Sequence, residues 1–167
     1  MRLRDMAAPP GFDSAYEIKR VRNWLLSCAA IFVFIFACIY AGQLANVSSS
    51  IRRYGFALMA SFPDVVRIPS LICFLPVFIG LLVMLIRNVN YFRASKSYYT
   101  MRRLPDRWEY PLRCALLPVS GFLVLLVGSQ LLLLLAGAAY LYITPDAWLP
   151  AGARESVLSF VLGGIFA

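Results

Sequence analysis

Three stretches of this chain carry no charged residue: Asn23 to Ile51, Ile68 to Ile86 and Cys114 to Ile143. In a soluble fold, apolar residues alternate with polar ones every few positions, so runs of this length leave no face for water. Each holds about 20 nearly continuous apolar residues, which at 1.5 Å apiece cover a hydrocarbon core of roughly 30 Å. The first run is rich in β-branched and aromatic residues, as in Ile31-Phe32-Val33-Phe34-Ile35-Phe36. A lone strand in lipid would leave its backbone unsatisfied, so length and unbroken hydrophobicity predict a helix. Composition agrees, with 61% hydrophobic and 14% charged residues, against about a quarter charged in an ordinary soluble domain. The expected fold class is therefore all-α, a polytopic transmembrane helical bundle. Its spans are expected at about 24–45, 68–86 and 114–143, with a candidate partial fourth span at 155–167.

The segments around these spans carry their own signals. Residues 1–22 are polar and mixed in charge, with Pro9-Pro10-Gly11 breaking any early helix. Asp5, Asp13 and Glu17 precede the first apolar run, which is not the pattern of a secretory signal. Tyr16 to Arg22 reads as a short helix on the membrane surface. Ser48-Ser49-Ser50 reads as a turn or N-cap, and Ile51 to Met59 as an amphipathic segment lying flat on the outer face. Pro69 suits a helix start and Pro76 should kink the second span. The third run exceeds one crossing, so it must tilt, bend near Pro118 or extend past the bilayer. Gly121, Gly128 and Ala136, with Ser129 and Gly137 beside them, form a stripe that permits close helix approach. Gly and Ala are also simply common in membrane helices. Ser156 to Ala167 is apolar but too short to cross, which leaves an interfacial helix or the opening of a fourth span as alternatives.

The formal net charge of +8 would, in a soluble protein, raise nucleic acid as a partner. Its distribution argues otherwise. Of the sixteen Lys and Arg, five lie in residues 1–22, three between the first two spans, seven in residues 87–113 and one in the tail. Three spans alternate sides, so the N-terminus and the loop 87–113 share one side with twelve of them. The positive-inside rule places that side in the cytoplasm of a multi-pass cell-membrane protein. No nucleic acid is needed to account for the charge.

Few residues here could carry chemistry. There is no histidine, which removes Ser/His/Asp and Cys/His arrangements and His-based metal sites. There is no phosphate-binding glycine loop, and no Asp or Glu lies in an expected span. Cys28, Cys38, Cys73 and Cys114 form no CxxC pair and read as small apolar packing residues. No enzyme activity, cofactor or metal is expected. Gln130 is the one strongly polar side chain deep in a span, and an interhelical hydrogen bond is its expected role. The loop 87–113 interleaves basic and aromatic residues around Leu104-Pro105, then restarts at Asp106 with Glu109 three positions on, a capping-box spacing. By composition it is a solvated basic loop held to anionic lipid heads.

The segment Leu104-Pro105-x-Arg107-x-Glu109, set between two spans after a basic stretch, resembles the cytoplasmic element of ABC transporter type 2 export permeases. The resemblance implies a short coupling helix that docks into a groove of a separate ATP-binding cassette subunit. Leu104, Pro105, Arg107 and Glu109 match the pattern, and Arg102, Arg103 and Trp108 adjoin it as exposed, charged or aromatic neighbours. Tyr16 to Arg22 is similarly placed to the family's connecting helix. The resemblance covers the first half of such a permease, so further membrane subunits or spans would complete a pathway. The implied function is a permease-like membrane subunit of an ATP-driven export complex. The alternative is a non-transporting scaffold or assembly protein whose basic loop binds anionic lipid or a cytoplasmic partner.

Overall fold

The computed structural model describes residues 13–94 and 109–163, and among these every regular element is helical. The order is α1 (Ser14–Tyr54), α2 (Phe62–Ala94), α3 (Glu109–Ile143), one 3-10 turn (Asp146–Trp148) and α4 (Ala153–Gly163). Three of them are long and apolar enough to cross a membrane. The chain is an all-α membrane-spanning protein. About a quarter of each apolar stretch (22%, 22% and 28%) is buried against the rest of the chain. Side chains such as Phe34, Ile72, Leu123 and Leu135 are more than half exposed, as expected of surfaces that face lipid.

α1 starts earlier and ends later than the sequence pattern predicts. Asp13 caps it, its Oδ1 accepting the Ala15 N–H at 3.0 Å. The expected surface helix at Tyr16–Arg22 is the first turns of this same element. The expected turn at Ser48–Ser50 lies inside it, because Ser49 Oγ donates back to the Asn46 carbonyl at 2.9 Å and the hydroxyl does not compete for a cap. There is no flat helix over 51–59 either. α1 stops at Gly55, whose φ of 80° and N–H to the Ile51 carbonyl (2.9 Å) make a left-handed C-cap. α2 then begins at Phe62, six residues before the expected span. Ser61 Oγ donates to the Asp64 carboxylate and the Asp64 N–H bonds the Ser61 carbonyl, a capping arrangement in which Pro63 lacks only an N–H that a first turn does not use. The helix continues through Pro69 and Pro76, and α3 through Pro118.

The chain divides into two compact units, Met1–Ser27 with Leu75–Leu126, and Cys28–Phe74 with Val127–Ala167. In the first, Val21, Leu81, Met84 and Leu117 form a buried cluster with Ile18, Leu25, Val77, Phe122 and Leu125 around it. A Cβ on Gly121 would lie 2.9 Å from Leu81 Cδ2, so this member of the small-residue stripe does bring helices close.

The second unit is held by aromatic rings. Phe32 stacks on Phe36 and Phe74, Phe36 on Tyr40, and Tyr40 meets Tyr140 edge-on. Phe62 packs against both Tyr140 and Phe160. Polar contacts close its end: Tyr40 and Thr144 share a hydroxyl bond of 2.9 Å, and the Met59 N–H donates to the Trp148 carbonyl at 2.9 Å. Tyr140 is fully buried and donates to the Ala60 carbonyl at 2.7 Å. Tyr140→Phe orphans that carbonyl and is expected to cost about 1–2 kcal/mol in an unfolding titration. α4 buries Ala153, Val157 and Val161, four residues apart on one face, and its 11 described residues are fewer than a bilayer crossing takes.

Candidate functional site

The first unit contains the ends of the two helices that flank residues 95–108. α2 enters that segment after Ala94 and α3 leaves it at Glu109. Of the residues that carry the permease resemblance, Arg102, Arg103, Leu104, Pro105, Arg107 and Trp108 lie outside the described residues, and Glu109 is the first residue of α3. What the structure describes is how the flanks of this segment are tied down.

Glu17 is the centre of that arrangement. It lies one turn before Val21 and on the same face, so the helix that buries Val21 carries the carboxylate inward with it. Its side chain is 6% exposed, and its Oε1 accepts from Arg87 Nη2 at 3.0 Å. Glu17 Oε2 is buried and has no hydrogen-bond partner among the described residues. Arg87, 37% exposed, also reaches Asn88 Oδ1 with Nη2 at 3.4 Å. Asn88 is buried and donates from Nδ2 to the Cys114 carbonyl of α3 at 3.1 Å. A relay of polar contacts thus runs from α1 through α2 to α3. Beneath it, toward the apolar spans, lies the Val21–Leu81–Met84–Leu117 cluster.

Two charges removed from water cost several kcal/mol each, and mutual attraction repays this only with good geometry. Arg87 keeps one flank toward solvent, which lowers that cost, while Glu17 depends on its partner. On the exposed face of the same helix, the Arg20 guanidinium lies 4.8 Å over the Trp24 ring. Trp24 in turn sits 3.2 Å from where a Cβ on Gly80 would be. The arrangement links three helices near their ends, α1 to α2 by a charge-assisted contact and α2 to α3 by a neutral amide-to-carbonyl hydrogen bond.

Sequence reasoning did not single out Glu17, Arg87 or Asn88. The available signal was periodicity, since Glu17, Val21 and Cys28 fall on one helical face once the helix is extended back to Ser14. Gln130, expected to bond between helices, is half-buried, and its side chain makes no hydrogen bond among the described residues. The buried polar group at that level is its neighbour Ser129. None of the four cysteines is in a disulfide, and Cys28 donates its thiol to the Cys73 carbonyl at 3.2 Å. Among the described residues, no three His, Cys, Asp or Glu side chains gather as a metal site. Compared with known protein families, with curated proteins and with solved structures, the chain matches none.

Proposed function

We propose that this chain is a permease-like membrane subunit of an ATP-driven export complex, moved through residues 87–113 by a separate ATP-binding subunit. The observation that supports this reading is the relay Glu17–Arg87–Asn88–Cys114 at the flanks of that segment. A segment that receives a push from a partner must hand it to the spans, and a loosely attached loop would absorb it. Here the helix entering the segment and the helix leaving it are bonded to each other through Asn88, and α1 is bonded to them through Arg87. Motion at the segment therefore shifts three helices together, as alternating access by rigid-body motion requires. The resemblance of Leu104-Pro105-x-Arg107-x-Glu109 to the coupling element of type 2 export permeases supplies the class of partner. The twelve basic residues on the N-terminal and loop side favour the cytoplasm of a cell membrane for that side.

The test is a triple charge reversal, Arg102→Glu, Arg103→Glu and Arg107→Glu, in the full chain. Co-purification of an ATPase with the wild-type chain is expected to fall at least tenfold in the variant. ATPase association unchanged in this variant would sink the reading. Retained membrane insertion with loss of binding to anionic vesicles, and no ATPase in either preparation, would favour the scaffold alternative.

A further inference from the structure

The side-chain amide of Gln130 makes no hydrogen bond among the described residues, and its place in α3 makes that costly. The uncharged part of α3 runs from Cys114 to Ile143, 30 residues, while a crossing takes about 20. Every crossing of about 20 residues drawn from that run contains Gln130, with about three or more residues, roughly 5 Å, between it and either edge. The amide is therefore inside the hydrocarbon wherever the bilayer is drawn along this run. Acyl chains offer neither donor nor acceptor, and a side-chain amide needs both. The neighbours on α3 show which side is open. Val127, Gln130, Leu134 and Leu141 follow one another at intervals of three, four and seven, which puts them on one side of the helix. Val127 is 60% exposed and Leu134 48%, and Gln130 and Leu141 are half-buried. The contacts of the chain with itself lie on the adjoining side, where Ser129, Leu133, Ala136 and Tyr140 are buried. Gln130 stands at the border, shielded on one flank and open on the other.

Whatever covers this side must bring a donor and an acceptor to the depth of Gln130. A second copy of the chain does so by construction. Copies inserted in the same orientation hold residue 130 at the same depth, and a primary amide is complementary to itself, each NH2 group donating to the carbonyl of the other. A two-fold axis through that contact also sets the apolar residues above and below it against their own counterparts, at the alternating three- and four-residue spacing by which helices interdigitate. No charge lies between Cys114 and Ile143, so the net charge of +8 sits outside the contact. We infer that this chain pairs with a second copy through α3, the two Gln130 amides exchanging hydrogen bonds between Val127 and Leu134 of each helix. The pairing requires no ATP-binding subunit.

The experiment reconstitutes the purified full chain, tagged at its N-terminus with a donor or an acceptor fluorophore, in phosphatidylcholine vesicles, and follows energy transfer as the chain is diluted into lipid. Association is expected in the wild type. Gln130→Leu is expected to weaken it tenfold or more, and Gln130→Asn, which keeps both donor and acceptor, to recover most of the loss. Leu135→Ala, at a 66% exposed position off the seam, is expected to stay within about twofold of the wild type. A photoreactive phenylalanine analogue at position 134, in native membranes, reads the same contact with Gln130 intact. Its expected adduct joins two copies of this chain through α3. A wild-type chain monomeric at every dilution, association indifferent to Gln130→Leu, or Gln130→Asn as weak as Gln130→Leu would overturn the inference. So would adducts from position 134 to lipid or to a different protein alone.

Discussion

Arg87→Met is expected to destabilise the protein by about 3 kcal/mol or more, and Glu17→Gln by about 1 kcal/mol. The asymmetry follows from burial. Removing Arg87 strands a carboxylate that is 6% exposed, with Oε2 already lacking a described partner. Removing the charge of Glu17 leaves a guanidinium that is 37% exposed and keeps Asn88 Oδ1 within 3.4 Å. In Glu17→Gln the side-chain amide oxygen would still accept one hydrogen bond from Arg87. Replacing both partners together, Glu17→Leu with Arg87→Met, should recover much of the larger loss, because no uncompensated charge then remains. Equilibrium unfolding in mixed micelles measures all three. Equal losses for the two single variants would show that burial does not set the cost of this pair.

Gly137→Leu is expected to cost about 3 kcal/mol and to release α4, whereas Gly128→Ala should stay within about 0.5 kcal/mol of the wild type. Both glycines belong to the same small-residue stripe, and the structure separates them. A Cβ on Gly137 would lie 2.7 Å from Val157 Cγ1 and 3.6 Å from Phe62 Cζ, while one on Gly128 meets nothing within 4 Å. Val157 is β-branched and stiff, so it cannot swing aside as Leu81 can before Gly121. α4 must therefore move, and its 11 residues are too few to stay helical alone. Exposed Arg154 provides a local readout: tryptic cleavage there should quicken many-fold in Gly137→Leu and hardly change in Gly128→Ala. Identical cleavage rates in the two variants would count against this account of α4.

The spans were legible because hydrophobicity in long runs needs no tertiary context to interpret. Their ends were not, and the reason is specific. Hydropathy takes Asp64 and Arg67 as outside a span, but a helix starts where its first N–H groups find partners. The Ser61 carbonyl accepts the N–H groups of Asp64 and Val65 six residues early, and the Ser61 hydroxyl holds the Asp64 carboxylate beside them. The triple serine at 48–50 reads as a stop by composition, yet inside a formed helix Ser49 bonds backward and the ladder continues. The candidate site was half legible. The basic loop and its Leu-Pro breaker stood out by pattern; the ends of the expected loop, 87–94 and 109–113, belong to α2 and α3, and the breaker lies outside the described residues. The relay beside them depends on Glu17 being carried onto a buried face, which shows only once α1 is extended through Tyr16 and Arg22. Gly121 and Gly137 illustrate the same limit. Spacing announced a stripe of small residues, but which of them touch another element depends on where Leu81 and Val157 sit.

The connection between α1 and α2 also sets a timetable for folding. Ala60 waits for the Tyr140 hydroxyl 80 residues away, Met59 for Thr144 at 85, and Tyr40 for Thr144 at 104. At a synthesis rate of about 5–20 residues per second, Ala60 is made roughly 4–16 s before Tyr140, the residue whose hydroxyl it accepts from. Throughout that interval Met59, Phe62 and the ring of Tyr40 lack their later neighbours, and contacts so distant along the chain form slowly. The second unit, whose contacts reach to Thr144 and beyond, therefore acquires its packing after the first.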